Sequence, residues 1–141
     1  MKMTKAQYKE EMEKIRGIDN WDERQAAKDA LLKKYRFGME VGDKGSVRLY
    51  TDSNPCTVIK RTKTTVTVRY DKATRNPDWK PEWIPGGFSA ICLNSEDQEW
   101  IIEDDENGST ETFYWSDREI CFTHHGCRLT PGWYKHYDYN F

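Results

Sequence analysis

A chain of 141 residues with a formal net charge of -2 is sized for one domain and can bury roughly two thirds of its unfolded surface. A mean hydropathy of -0.98 and the absence of any run of 18 apolar residues argue against a membrane span, and the opening Met1-Lys2-Met3-Thr4-Lys5 has no apolar export core. Six Trp and eight Tyr argue against disorder. The expected location is therefore the cytoplasm, where Cys56, Cys92, Cys121 and Cys127 would be thiols or metal ligands rather than disulfides.

Thr4 followed by Gln7 has capping-box spacing, and Tyr8, Met12 and Ile15 recur at helical intervals until Gly17. Asn20 followed by Glu23 repeats the device. Ala27, Ala30, Leu31 and Tyr35 then share a stripe that ends in a basic turn and Gly38. The pattern predicts a helical arm over residues 1–40, packed on or swung away from a β-rich domain over residues 41–141. Neither helix carries a distinct polar recognition face, so the arm does not read as a helix-turn-helix DNA reader.

After Val41-Gly42-Asp43, Val47 and Leu49 are expected to point inward, and Asp52-Ser53-Asn54-Pro55 to form a turn. The stretch over residues 56–71 organises the rest. Its second half alternates strictly, with Val66, Val68 and Tyr70 on one face and Thr65, Thr67 and Arg69 on the other. Strands near 45–50, 56–62 and 65–71 would form a meander of the kind that closes small SH3-like barrels. Lys60, Arg61, Lys63 and Arg69 make this region the most basic of the chain.

Three prolines over residues 76–87 rule out a central strand. Trp79 and Trp83 in that loop would either stack on a base, a nucleotide ring or a partner side chain, or lie over one open end of the barrel. A strand is expected over residues 88–93. Asn107-Gly108 is the strongest hairpin signal. As a two-residue loop it would set Trp100 opposite Trp115, Ile102 opposite Phe113 and Asp104 opposite Glu111, crowding acids against acids. Pro131-Gly132 leads into a closing strand with Trp133, Tyr137, Tyr139 and Phe141 on one face. The predicted fold is thus α+β, with two N-terminal helices followed by an antiparallel SH3-like or barrel-like sheet of about seven or eight short strands.

Residues 44–80 hold nine Lys and Arg against three Asp, whereas residues 94–119 hold ten acids against Arg118 alone. Such asymmetry points either to a charged partner or to two segments that face each other in the fold. One reading is a non-enzymatic protein whose acidic tip, Glu103, Asp104, Asp105, Glu106 and Glu111, meets a basic groove on a host protein or protein–nucleic-acid complex as a phosphate mimic. An alternative is direct nucleic-acid binding through Lys60, Arg61, Lys63 and Arg69 with stacking by Trp79 and Trp83. A third is a zinc or thiol enzyme. Cys121, His124, His125 and Cys127 lie within seven residues, and Cys92 or His136 could complete a tetrahedral site. That spacing fits no strong zinc pattern, His124-His125-Gly126 also reads as a hairpin tip, and no other cofactor is expected.

Val41-Gly42-Asp43, Tyr50-Thr51-Asp52, Thr57-Val58, Asp71-Lys72-Ala73, Gly86-Gly87-Phe88, Trp115-Ser116 and the ending Tyr137-Asp138-Tyr139-Asn140-Phe141 together resemble a family of small proteins common in bacteriophage and other mobile genetic elements. Members often carry Gly-His after the Gly-Gly-Phe segment, where this chain has Ser89-Ala90-Ile91. The resemblance implies an accessory gene product. Some such products act as anti-defence inhibitors, anti-CRISPR proteins among them, and no catalytic residue carries over.

Overall fold

A computed structural model describes residues 3–86 and 89–137. Helix α1 (Lys5–Arg16) starts with the predicted capping box, Thr4 and Gln7 each accepting the other's backbone N–H. Helix α2 (Trp21–Phe37) is capped by Asn20, whose side chain accepts the Glu23 N–H at 3.0 Å. The helices are joined through a Tyr8–Tyr35 ring stack at 4.4 Å. Helix α2 lies against the sheet, so the arm is packed on it. Phe37 stacks on Phe122 at 5.7 Å and meets Trp115 edge-on at 5.0 Å, while Met39, just past the helix, is 2% exposed within the core.

The ten strands among the described residues are β1 (Lys44–Arg48), β2 (Ser53–Arg61), β3 (Thr65–Tyr70), β4 (Lys72–Arg75), β5 (Trp83–Gly86), β6 (Ser89–Cys92), β7 (Trp100–Glu103), β8 (Thr110–Ser116), β9 (Cys121–His124) and β10 (Cys127–Pro131). Six of them close an antiparallel barrel in the order β1-β10-β9-β8-β3-β2, and closure leaves no open edge. Val66 and Val68 point inward as their alternation requires. With Val47, Cys56, Val58, Phe113, Phe122 and Leu129 they fill the interior. No helix among the described residues is long and apolar enough to cross a membrane.

Several expectations are corrected. Ser53, Asn54 and Pro55 are not a turn but the start of β2, because the reversal falls earlier, where the Leu49 N–H donates to the Asp52 carbonyl at 2.8 Å. Leu49 is consequently 45% exposed rather than inward. Strand β7 does not pair with β8. It pairs with β4, with Trp100 opposite Arg75 and Glu103 opposite Lys72, while β8 lies between β3 and β9 with Phe113 opposite Val66 and Glu111 opposite Val68. Residues 133–137 form no strand beyond a single bridge between Ser53 and His136, and Phe88, Tyr139 and Phe141 lie outside the described residues. A tight hairpin forms at β9–β10, whose loop residues His125 and Gly126 have φ of 48° and 82°, as a primed two-residue turn requires.

Candidate functional site

The acidic segment does not stand as a ladder of mutual repulsion. Asp104 is reached by Lys44, which hydrogen-bonds to it, and by Arg69 at 3.3 Å, and the Thr57 hydroxyl lies at 3.3 Å. Asp71 is its neighbour in the network. Its fully buried carboxylate accepts from the Thr57 hydroxyl at 2.6 Å, the Trp133 indole N–H at 2.9 Å and the Asp105 backbone N–H at 3.3 Å. The basic and acidic halves of the sequence therefore meet inside the fold at this point. Glu103, Asp104 and Glu106 remain exposed, Asp105 is half-buried, and Glu111 points into the barrel mouth near Tyr70 and Cys127.

Hydrogen bonding from Lys44 holds the Asp104 carboxyl below the usual carboxylate range, partly offset by desolvation and reinforced by the Lys44 charge, Thr57 and Arg69. A carboxylate whose pKa is lower in the folded state stabilises the fold above the unfolded value of about 3.9 and loses that contribution as pH falls through the folded value. Asp104→Asn is thus expected to be less stable than wild type at pH 7, with the gap closing in acid. Chemical denaturation at a series of pH values checks this, and a variant more stable than wild type at pH 7 would restore the repulsion reading.

The basic cluster is divided. Arg61 donates to the carbonyls of Met39 at 2.9 Å, Phe37 at 2.8 Å and Thr65 at 3.3 Å, and lies over the Phe37 and Phe122 rings. It ties the carboxyl end of α2 to the barrel, where a cation suits the helix dipole. Arg69 is committed to Asp71 and Asp104. Only Lys60 and Lys63 of the four are exposed. Trp79 is 8% exposed and Trp83, on β5, is 48% exposed, so the two do not form one stacking platform.

The candidate zinc ligands are brought together only in part, His124 and Cys127 being cross-strand partners while Cys121 is turned away from them. Cys121 and His124 stand an odd number of residues apart on β9 and so face opposite sides of the sheet. Cys121 is buried and donates to the Leu129 carbonyl at 3.1 Å, whereas His124 lies opposite Cys127 beside the Phe113 ring. His136 bridges to Ser53, and Cys92 is opposite Trp83. Among the described residues no group of three or more His, Cys, Asp or Glu is placed to hold a metal ion. Burial, with Asp71 and Glu111 nearby, pushes the Cys56 thiol up to about 12, and burial likewise raises Cys121 and Cys127. A cysteine nucleophile requires the opposite shift.

A cleft of about 590 Å³ lies elsewhere, beside the β1–β2 turn and the β9–β10 hairpin. Arg48 and Arg128 stand directly opposite each other on β1 and β10, both exposed, and both line it with Tyr50, Tyr134 and His136. Arg48 is oriented by the Thr130 hydroxyl at 3.1 Å and lies over the Tyr134 ring at 5.2 Å. Arg128 has a long contact to Glu119 at 3.4 Å. Like charges opposed in register are destabilising unless an anion sits between them. Asp52 and Glu96 also line the cleft, so its charge is mixed away from the arginine pair. Sequence reading missed this constellation because Arg48 and Arg128 meet only when the first and last barrel strands pair. The local signal was the alternation of Tyr134, Lys135 and His136.

The fold and cleft define a closed six-stranded β-barrel with a docked helical arm and a cationic–aromatic face. No protein family, curated protein or solved structure was found to match the chain.

Proposed function

We propose that this protein is a non-enzymatic binding module of the phage-accessory kind that engages nucleic acid through the cleft of Arg48, Arg128, Tyr134 and His136. The observation that supports it most is the register pairing of Arg48 with Arg128, two cross-strand arginines that line one cleft with Tyr134 and His136. Guanidinium pairs suit phosphate oxygens, and rings beside them suit bases. Occupying nucleic acid in this way would serve an anti-defence inhibitor of a nucleic-acid-processing complex.

Fluorescence anisotropy with a labelled single-stranded oligonucleotide, repeated across a salt series, tests this reading. Arg48→Gln/Arg128→Gln is expected to weaken binding and to flatten the plot of log affinity against log salt by about 1.4, two phosphate contacts at roughly 0.7 each. Lys60→Gln/Lys63→Gln, at and just beyond the end of β2 remote from Ser53, the cross-strand partner of Arg48, is expected to change neither by as much. Wild-type protein that fails to bind, or an arginine variant that keeps the wild-type slope, would reject it.

Inhibition of a host protein by the acidic loop is the second reading, favoured by the exposure of Glu103, Asp104 and Glu106. It predicts that Glu103→Gln/Asp104→Asn/Glu106→Gln slows capture of that protein and flattens its salt dependence, leaving oligonucleotide binding intact.

A further inference from the structure

Tyr134 and His136 are two residues apart on an extended segment, and their rings are parallel within 2° with centroids 6.4 Å apart. That distance matches the rise of two extended residues, 3.2–3.4 Å each, as expected for alternate residues on one face of an extended segment. The segment is fixed on both sides. His136 and Ser53 exchange backbone hydrogen bonds at 3.0 and 3.1 Å, and Lys135 points the opposite way, donating to the Asn54 side chain at 2.8 Å and lying over Trp100. Arg48 occupies the face of Tyr134 at 5.2 Å and Arg128 is its cross-strand partner.

A flat ring sandwiched between two others needs two stacking distances, about 6.8 Å at the 3.4 Å spacing of stacked bases. The Tyr134–His136 centroid separation is within a few tenths of an ångström of that. We infer that Tyr134 and His136 clamp one unstacked nucleobase, while Arg48 and Arg128 take a phosphate of the same nucleotide unit. The inference rests on the nucleic-acid reading above and deepens it, because a clamp of this width admits a flipped or single-stranded base and excludes a paired one. The ligand chemistry is a base carrying a phosphate, which either a strand or a free nucleotide can supply.

The test compares a single-stranded oligonucleotide with one of equal length lacking its bases, using a competing fluorescent strand, with a nucleoside monophosphate as a third ligand. The intact strand is expected to bind roughly tenfold more tightly than the abasic one, as stacking a base on protein rings allows. A 2-aminopurine placed in the strand should lose fluorescence on binding, as it does when stacked. Tyr134→Leu/His136→Leu is expected to bind the intact strand no better than wild type binds the abasic one, and Tyr134→Phe to keep wild-type affinity. Thermal melts identify any variant that fails to fold, and the wild-type comparison of intact with abasic strand stands without variants. Equal affinity for intact and abasic strands would overturn the clamp and leave the phosphate-binding reading standing. Absence of binding to either would overturn both. A strand that binds more tightly than the monophosphate assigns the site to nucleic acid, and parity assigns it to a free nucleotide; each supports the clamp.

Discussion

Gly108→Ala is expected to destabilise the protein by about 3 kcal/mol, although Asn107-Gly108 looks from sequence like a tolerant surface turn. An added Cβ would stand 1.9 Å from the Tyr70 carbonyl oxygen and 3.1 Å from its carbon, both backbone atoms that cannot rotate aside. The Tyr70 N–H donates to the Ser109 carbonyl at 2.8 Å, so the clash would be pushed directly into the start of the β3–β8 pairing. Gly126→Ala is the matched control. It has nothing within 4 Å and a φ of 82°, so it bears only conformational strain, about 1 kcal/mol. Urea unfolding of the two variants side by side decides the matter. Equal losses would mean that the loop over residues 105–109 relaxes freely and that close packing at Gly108 is not what constrains it.

The same residue shows why the chain was only partly legible. Local rules placed both helix caps and the alternation of β3, because each depends on neighbours in sequence, and the succession of short strands pointed to a barrel without showing which strands close it. Asn107-Gly108 misled because the hairpin rule presumes positive φ at both loop residues, and neither has it. Instead the Asp105 side chain accepts the Asn107 N–H at 3.0 Å and the Asp105 carbonyl accepts the Gly108 N–H at 3.0 Å, a turn that feeds β8 toward β3. With β3 and β9 on its two sides, β8 has no edge left for β7, which finds β4 outside the barrel. Glycine was needed there for close backbone approach, and the partner of that approach lies 38 positions away at Tyr70.

Charge was legible as a sum and illegible as a geometry. The compositional split between the two segments was real, and contact between them was one of two options left open by sequence. Lys44, Arg69 and Asp104 realise that contact. Arg61 could not be told from Lys60 or Lys63 by pattern, because its role depends on where α2 ends. Only the folded chain shows that four carbonyls, those of Phe37, Met39, Thr62 and Thr65, and two rings surround it. The arginines of the cleft sit on strands that meet at barrel closure, so no window of sequence contains both.

Asp71→Ala is expected to cost about 3–5 kcal/mol, the range for removing one member of a buried charged network. The fully buried Asp71 carboxylate gathers donors from β2, from β3, from the loop before β8 and from Trp133. Without it the Thr57 hydroxyl and Arg69 lose an anionic acceptor, and Trp133 keeps only its 3.1 Å bond to the Cys56 carbonyl. For a chain of this length a loss of 3 kcal/mol corresponds to roughly 10 °C in Tm, so calorimetry reads it directly. Asp71→Asn preserves the shape and one acceptor oxygen while placing an NH2 group toward existing donors, and should cost less, about 2 kcal/mol. The functional consequence follows from Trp133, which anchors the segment carrying Tyr134 and His136. Asp71→Asn, still folded at 20 °C, is expected to bind single-stranded nucleic acid more weakly than wild type, with an unchanged salt slope because Arg48 and Arg128 are untouched. A folded Asp71→Asn protein with wild-type affinity would show that Trp133 does not position the clamp, and an unfolding free energy within about 1 kcal/mol of wild type for Asp71→Ala would show that water replaces the carboxylate at little cost.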